Sequence, residues 1–236
     1  MMYHTHKGVL YDLFLFINRT KHLTREGLGS FPFSFCDSLG LFWGRIMTSK
    51  IYALLGPHAS GKTVLAGKLM QLGIHYIPMY TTRTPGKIDS DERFYRFVSK
   101  AEFFKQDFVV RVTYKGDYYG VLKKDVLSAL QEHKISLLLL DANGVRQLRH
   151  LLKENFETIF LMVDYVTLVE RMIRLGHKNK EIKYHLEYAE NNNEFEGWKD
   201  ASHVVKIKSM TDPRTVLDQV LAIMGLMQFL PPEKAR

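Results

Sequence analysis

Cysteine is almost absent from this sequence, since Cys36 is the only one in 236 residues. No disulfide can form within the chain, which fits a reducing compartment. A catalytic thiol is the less favoured alternative, and a lone cysteine without a chemical role in an unusual N-terminal segment is the favoured interpretation. The 16 glycines and 7 prolines are ordinary numbers, which excludes a fibrous or low-complexity chain.

Long apolar runs are missing as well. The run Tyr11–Ile17 is rich in aromatic residues, but it is too short to cross a bilayer and contains Asp12. It also makes a poor signal peptide, because the residues before it are weakly basic and no small-residue cleavage site follows. We therefore expect a cytoplasmic protein without a membrane partner.

Blocks of like charge are absent, although the formal net charge is +8. A basic balance suits an anionic partner, and the cations that surround a nucleotide triphosphate account for much of the excess. Lys and Arg are scattered and no aromatic RNA-binding motif is present, so nucleic acid is a disfavoured partner.

The chain changes character at Met47. Residues 1–46 keep neither strand nor helix periodicity, and we predict a poorly ordered extension upstream of a natural start at Met47. From there apolar strands alternate with helices, as in a three-layer α/β domain with a parallel sheet. This domain is predicted to cover residues 47–228, with 229–236 as a tail. The predicted strands are Ile51–Leu55, Ile135–Leu140, Thr158–Val163 and His203–Ile207, and the predicted helices are Lys62–Leu72, Val145–Leu152, Tyr165–Leu175, Glu181–Asn192 and Pro213–Met224.

One segment, Ile74–Leu130, interrupts this alternation. Its patterns predict three shorter strands, at Phe94–Val98, Phe108–Tyr114 and Asp117–Val121, separated by turn signals. We interpret it as a lobe inserted into the α/β domain, at about residues 76–122.

A phosphate-binding loop follows the first strand. Residues 56–63, GPHASGKT, match the pattern G-x-x-x-x-G-K-[ST] in full and lead into a helix, the context that the motif requires. Backbone N–H groups and the helix N-terminus attract phosphate, Lys62 reaches the β- and γ-phosphates, and the Thr63 hydroxyl is offered to Mg²⁺. The residues predicted to bind ATP are Gly56, His58, Ala59, Ser60, Gly61, Lys62 and Thr63.

Two residues near this loop fit more than one role. His58 lies inside the motif, where it is either a base or a residue that contributes its backbone only; we expect its side chain to point to solvent. Asp141 ends an apolar strand, where it either helps to hold Mg²⁺, directly or through water, or caps the next helix.

Four further sequence blocks follow the phosphate-binding loop. They are Tyr80–Pro85 (YTTRTP), Phe94–Ser99 (FYRFVS), Gly116–Gly120 (GDYYG) and Asp141–Val145 (DANGV). Because these blocks occur in the order and spacing of the guanylate kinase family, the chain resembles that family from about Lys50 to Met224.

The resemblance implies an ATP- and Mg²⁺-dependent nucleoside monophosphate kinase. Its expected architecture is a P-loop NTPase core with a parallel sheet, a small mixed β acceptor-binding lobe and a helical lid at about residues 172–195. Arg83, Tyr95 and Tyr119 match the family residues that hold the acceptor phosphate, and an arginine fork with phenol donors suits that task. The second arginine that binds the acceptor phosphate in the family aligns with Gly86 of this chain. The adjacent Lys87 can supply a positive charge instead, and we count it among the acceptor-binding residues.

The sequence departs from the family where the guanine base is read and in the lid. The polar base-reading positions align with Met79, Val110, Val121 and Leu139, which offer no side-chain hydrogen bonds. Arg171 matches a lid arginine, whereas the next two positions hold Leu175, beside Arg174, and His185. The catalytic residues that the resemblance implies are Lys62, Arg83, Arg171 and Arg174.

Three functions are compatible with these features. The first is transfer of the ATP γ-phosphate to a nucleoside monophosphate, which is GMP by resemblance. The second is the same transfer to another small phosphorylated acceptor. The third is a catalytically weak nucleotide-binding or protein-interaction module, against which the retained Lys62 and Thr63 argue. Oligomeric state does not follow from the sequence.

Overall fold

The computed structural model describes residues 49–85 and 93–227. The predicted N-terminal extension, Lys87 and the predicted tail lie outside these ranges. The strands are β1 (Lys50–Leu55), β2 (His75–Tyr76), β3 (Met79–Thr81), β4 (Tyr95–Phe97), β5 (Phe108–Tyr114), β6 (Asp117–Leu122), β7 (Ile135–Leu139), β8 (Phe156–Val163) and β9 (His203–Ile207). The α-helices are α1 (Lys62–Gln71), α2 (Lys100–Phe104), α3 (Lys123–Glu132), α4 (Ala142–Leu152), α5 (Tyr165–Arg174), α6 (Asn179–Asn191) and α7 (Pro213–Ile223).

The main sheet has five strands in the order β2-β7-β1-β8-β9, all parallel. Helices cover both faces, because the apolar runs of the strands have to be buried on each side. One apolar cluster receives Leu69, Leu168 and Val220 from α1, α5 and α7, and the other receives Val126 and Leu148 from α3 and α4. The α/β class and its parallel sheet, predicted from the sequence, are thereby confirmed.

The segment between α1 and β7 forms a second sheet in the order β4-β3-β6-β5. Strands β3 and β4 are parallel, and the other neighbours are antiparallel. Val110 of β5 and Val121 of β6 belong to the same apolar cluster as Leu138 of β7. The lobe and the main sheet therefore share one core.

The structure contains two helices and two short strands that the sequence patterns did not predict. Helix α2 begins with a capping box in which the side chains of Ser99 and Glu102 each bond the other's backbone N–H, and this S-x-x-E signal is visible in the sequence. Helix α3 has no comparable signal, since it buries only Val126 and Ala129. Strands β2 and β3 are two and three residues long, too short for alternation to stand out.

Helix α6 and the last residues of helix α5 lie in the segment predicted to be the lid, at about residues 172–195. Asp164 caps α5 by accepting the N–H of Thr167 at 2.9 Å. Helix α6 follows after four residues, 175–178, and a short 3-10 helix, Glu194–Lys199, comes after it. This arrangement brings side chains of the lid to the loop between β1 and α1.

Candidate nucleotide-binding site

The loop between β1 and α1 has the backbone geometry of a phosphate cradle. Gly56 has φ 140°, and a Cβ there would lie 2.9 Å from the carbonyl oxygen of Leu161. Gly61 has φ 101° and sits at the N-cap of α1, where no side chain forms a capping hydrogen bond. Glycine is required at both positions because any other residue would be strained at these positive φ angles. A side chain at position 56 would also collide with β8. The N-terminus of α1 is left open to an anion.

Lys62 is folded over this loop. Its ammonium group donates to the carbonyl oxygens of Gly56 and Pro57, the second at 2.9 Å. Burial lowers the pKa of Lys62 to about 8, while the nearby carboxylates of Glu194 and Asp141 act in the opposite direction. The lysine therefore lies where phosphate oxygens can replace the loop carbonyls as its acceptors.

Glu194 is a site residue that sequence reasoning missed. It starts the 3-10 helix after the lid and is half-buried. Burial raises the pKa of Glu194, and the charge of Lys62 opposes that rise. No motif precedes Glu194, so only the packing of the lid onto the core reveals it.

The structure gives Asp141 the capping role, one of the two that the sequence left open. It is the N-cap of α4, and its carboxylate accepts the N–H of Gly144 at 2.7 Å. The same carboxylate interacts electrostatically with Lys62 and Glu194, which places it beside the phosphate cradle. Burial raises its pKa, against the backbone N–H donors. Thr63 is exposed in the first turn of α1; a hydroxyl and a carboxylate offer the oxygen ligands that Mg²⁺ prefers, so the donor set fits this ion.

The predicted acceptor-phosphate residues lie together at one end of the lobe. The Arg83 guanidinium carbon is 5.5 Å from the ring centroid of Tyr95 and 5.4 Å from that of Phe97. The hydroxyl of Tyr119 hydrogen-bonds Arg83 and Thr81. The structure therefore brings Arg83, Tyr95 and Tyr119 together from the turn after β3 and from strands β4 and β6. Lys87 lies outside the described residues.

The aligned base-reading positions are filled with apolar core. Val110 and Val121 have no exposed surface, while Met79 and Leu139 are only 8% and 7% exposed. Val110, Val121 and Met79 pack in the apolar cluster that also contains Tyr119. A purine edge placed against these side chains would find no hydrogen-bonding partners among them.

The two predicted lid arginines differ in position. Arg171 donates to the carbonyl oxygens of Ser60 and Ala59, at 3.0 and 3.3 Å. Arg174 is 75% exposed and pairs with Glu170 at 3.6 Å along the same helix. The structure brings Arg171 to the phosphate loop and leaves Arg174 on the outer surface.

The expectation that the His58 side chain points to solvent is wrong. Its Nε2 lies 3.3 Å from Nε2 of His177, and its ring stacks on that of His185 with centroids 3.8 Å apart. The reason is tertiary, since both partners come from the lid. Burial, together with the neighbouring rings and Lys62, lowers the pKa of His58 to about 3, and burial and Lys115 lower that of His185 to about 4.

Comparison with known proteins bears directly on these features. The family model described as guanylate kinase matches residues 48–221. The chain belongs to the guanylate kinase family. Curated relatives include the guanylate kinase of Nostoc sp., 28% identical over 141 residues that cover 57% of this chain and 71% of the relative. That of Wolinella succinogenes is 30% identical over 138 residues, or 56% and 64% of the two chains.

The solved structures agree on the fold. A crystal structure of guanylate kinase from Anaplasma phagocytophilum superposes with a TM-score of 0.57, at 20% identity, over 78% of this chain and 88% of that one. The predictions of the guanylate kinase family, the P-loop fold and a nucleoside monophosphate kinase are confirmed. Among the helices within the described ranges, none combines the length and apolar character that a bilayer crossing needs.

Proposed function

We propose that this guanylate kinase family member transfers the γ-phosphoryl group of ATP to a nucleoside monophosphate. The observation that carries the proposal is the complete phosphate loop, with Lys62 folded over it and Arg171 bonded to its carbonyls. Phosphoryl transfer depends on positioning and charge neutralisation, and both residues bring positive charge to that task.

Each end of the transfer has its own group of residues. The loop N–H groups, the α1 N-terminus and Lys62 hold the donor phosphates, while Arg171 approaches from the lid. Mg²⁺, held by Thr63 and by Asp141 directly or through water, would neutralise charge on the donor phosphates. Arg83, with Tyr95 and Tyr119, holds the phosphate of the acceptor.

GMP is the acceptor that the family relationship favours. The phosphate grip on the lobe is present, so a nucleoside monophosphate can be held by its phosphate. The apolar positions Val110 and Val121 give its base no side-chain hydrogen bonds, and an apolar site discriminates weakly between bases. We therefore propose transfer to GMP with relaxed base specificity.

A direct transfer assay tests this function. Mg²⁺–ATP is incubated with GMP, dGMP, AMP, CMP or UMP, and nucleoside diphosphate is separated from substrate by chromatography. We expect diphosphate from at least one acceptor. A thermal-shift screen with the same monophosphates reports binding without turnover, because a ligand of the folded state raises the melting temperature. Absence of product and of any shift with all five acceptors would overturn the proposal.

A further inference from the structure

Three histidines meet at the junction of the phosphate loop and the lid. His58 belongs to the loop, His177 to the connection between α5 and α6, and His185 to α6. One ring nitrogen from each lies within 4.8 Å of the others. Among the described residues, these three form the one group of at least three His, Cys, Asp or Glu side chains that could hold a metal ion. The transfer mechanism proposed above uses none of the three imidazoles.

The spacing of these nitrogens suits a tetrahedral ion. Zinc binds imidazole nitrogen at about 2.0–2.1 Å, which separates neighbouring nitrogens by roughly 3.4 Å. The Nε2 atoms of His58 and His177 are already 3.3 Å apart. The ring of His185 stacks on that of His58, with an angle of 4° between the two planes. It therefore has to turn out of the stack to direct a nitrogen at the same ion and complete a three-histidine set, with water as the fourth ligand.

Two of the rings have polar groups beside Nδ1. The carboxylate of Glu181 lies 3.9 Å from Nδ1 of His177, while Nε2 of that ring lies 3.3 Å from Nε2 of His58. The hydroxyl of Tyr114 lies 2.8 Å from Nδ1 of His185, which leaves Nε2 for an ion. Such outer partners of the second ring nitrogen are characteristic of protein metal sites.

The positive charges of Lys62 and Lys115 oppose a cation at this site, since both act electrostatically on His58. The ammonium group of Lys115 lies 3.4 Å from Nε2 of His185. Lys115 is exposed in the turn between β5 and β6, and it also lies over the rings of Tyr114 and Tyr184. Its flexible chain can withdraw to these rings, at a cost in metal affinity that a substitution can measure.

We propose that His58, His177 and His185 form a binding site for a divalent transition-metal ion of the zinc class, which ties the phosphate loop to the lid. Three imidazoles and water select such an ion over Mg²⁺, which prefers oxygen ligands. This site is therefore separate from the Mg²⁺ site at Thr63 and Asp141.

Cobalt titration of the full chain without nucleotide tests the site. Tetrahedral Co²⁺ absorbs strongly in the visible range, and Zn²⁺ added afterwards should abolish that absorption by displacement. We expect one strong equivalent per chain, with the affinity lowered at least about tenfold in His177→Ala, because it removes one of three ligands. The chain has ten histidines, so the difference between variant and wild type is the signal.

Two matched variants sharpen the result. His133 stacks on His75 in a second histidine pair, with centroids 3.8 Å apart, and His133→Ala should keep the strong equivalent. Lys115→Gln removes the positive charge beside His185 and should tighten Co²⁺ binding by about tenfold. Without metal, the melting temperature of each variant checks that it is folded.

Hydrogen exchange supplies a readout that does not depend on kinase activity. Zn²⁺ should slow amide exchange at residues 175–178 and in the phosphate loop of the wild type, but not in His177→Ala. The proposal is overturned if folded His177→Ala binds Co²⁺ with wild-type affinity and spectrum, or if the wild type shows no tetrahedral spectrum. Either failure leaves the proposed phosphoryl transfer untouched, because these measurements involve no nucleotide.

Discussion

At the scale of single residues, Lys62 offers the most direct test of the phosphate site. We expect Lys62→Ala to lower the rate of phosphoryl transfer by at least about a hundredfold, because the donors that face the transferred group are lost. Triphosphate binding should weaken as well, while the melting temperature changes little. Steady-state kinetics and a thermal melt give both numbers.

Lys68 is the matched control for this substitution. It lies in the last turn of the same helix, away from the loop, so Lys68→Ala should retain near-wild-type transfer. Unchanged transfer by folded Lys62→Ala would contradict the assignment of the loop.

Two substitutions of Asp141 separate its role as the N-cap of α4 from its proposed role in holding Mg²⁺. Asparagine is as good an N-cap as aspartate, whereas alanine lacks a cap and costs about 1 kcal/mol. We therefore expect Asp141→Asn to keep the stability of α4 but to raise the Mg²⁺ concentration needed for half-maximal activity by about tenfold. Asp141→Ala should show both defects. If Asp141→Asn keeps the wild-type Mg²⁺ dependence, Asp141 acts only as a cap.

At the scale of elements, helix α5 presents one arginine to the phosphate loop and one to solvent. Arg171→Ala should lower the turnover number by roughly 10³-fold, in the range known for arginines that stabilise a transferring phosphoryl group. Arg174→Ala removes an exposed helix ion pair, worth about 0.3–0.5 kcal/mol, and should leave turnover near the wild-type value.

The comparison of these two variants carries the test. Both remove the same side chain from the last turn of the same helix, so general effects on the helix cancel. Equal losses of turnover in the two variants would show that the contact of Arg171 with Ser60 has no special part in catalysis.

At the scale of the whole molecule, the shared core of lobe and main sheet affects specificity. Three of the four positions expected to read guanine, Met79, Val110 and Val121, are part of that core, so we expect the base to gain few selective contacts. A hydrogen bond left unmade costs about 1–3 kcal/mol. We expect the specificity constant for GMP to exceed that for AMP by less than about a hundredfold.

Side-by-side measurements of ATP consumption with GMP, dGMP, AMP, CMP and UMP give this ratio. A larger preference for GMP would show that groups outside Met79, Val110, Val121 and Leu139 read the base. In that case the alignment of these four positions would be wrong, while the membership of the family would stand.

A second prediction at the scale of the whole molecule concerns residues 1–46, which lie outside the described residues. We propose that it is dispensable for folding and nucleotide binding, because β1 begins at Lys50. A truncated protein that begins at Met47 should remain soluble and bind ATP with unchanged affinity. Loss of solubility, or affinity weakened by about tenfold (~1.4 kcal/mol), would show that the segment is structural.

Local patterns in the sequence were enough to predict much of this protein. The apolar runs of β1, β7, β8 and β9 and the phosphate loop were predicted to within a residue or two. Such runs specify buried strands, and the spacing of glycines and Lys62 specifies the loop, because these properties depend on neighbours along the chain. The blocks around Arg83 and Tyr119 identified the family for the same reason.

Tertiary structure decided what depends on residues far apart in the chain. Glu194 near Lys62, Arg171 on the loop carbonyls and the side chain of His58 among the lid histidines result from packing of the lid onto the core. Helix α3 likewise owes its place to contacts with β1 and β7 of the main sheet and with β5 and β6 of the lobe. No local periodicity encodes such contacts, because they form only when separate elements bury their surfaces against each other.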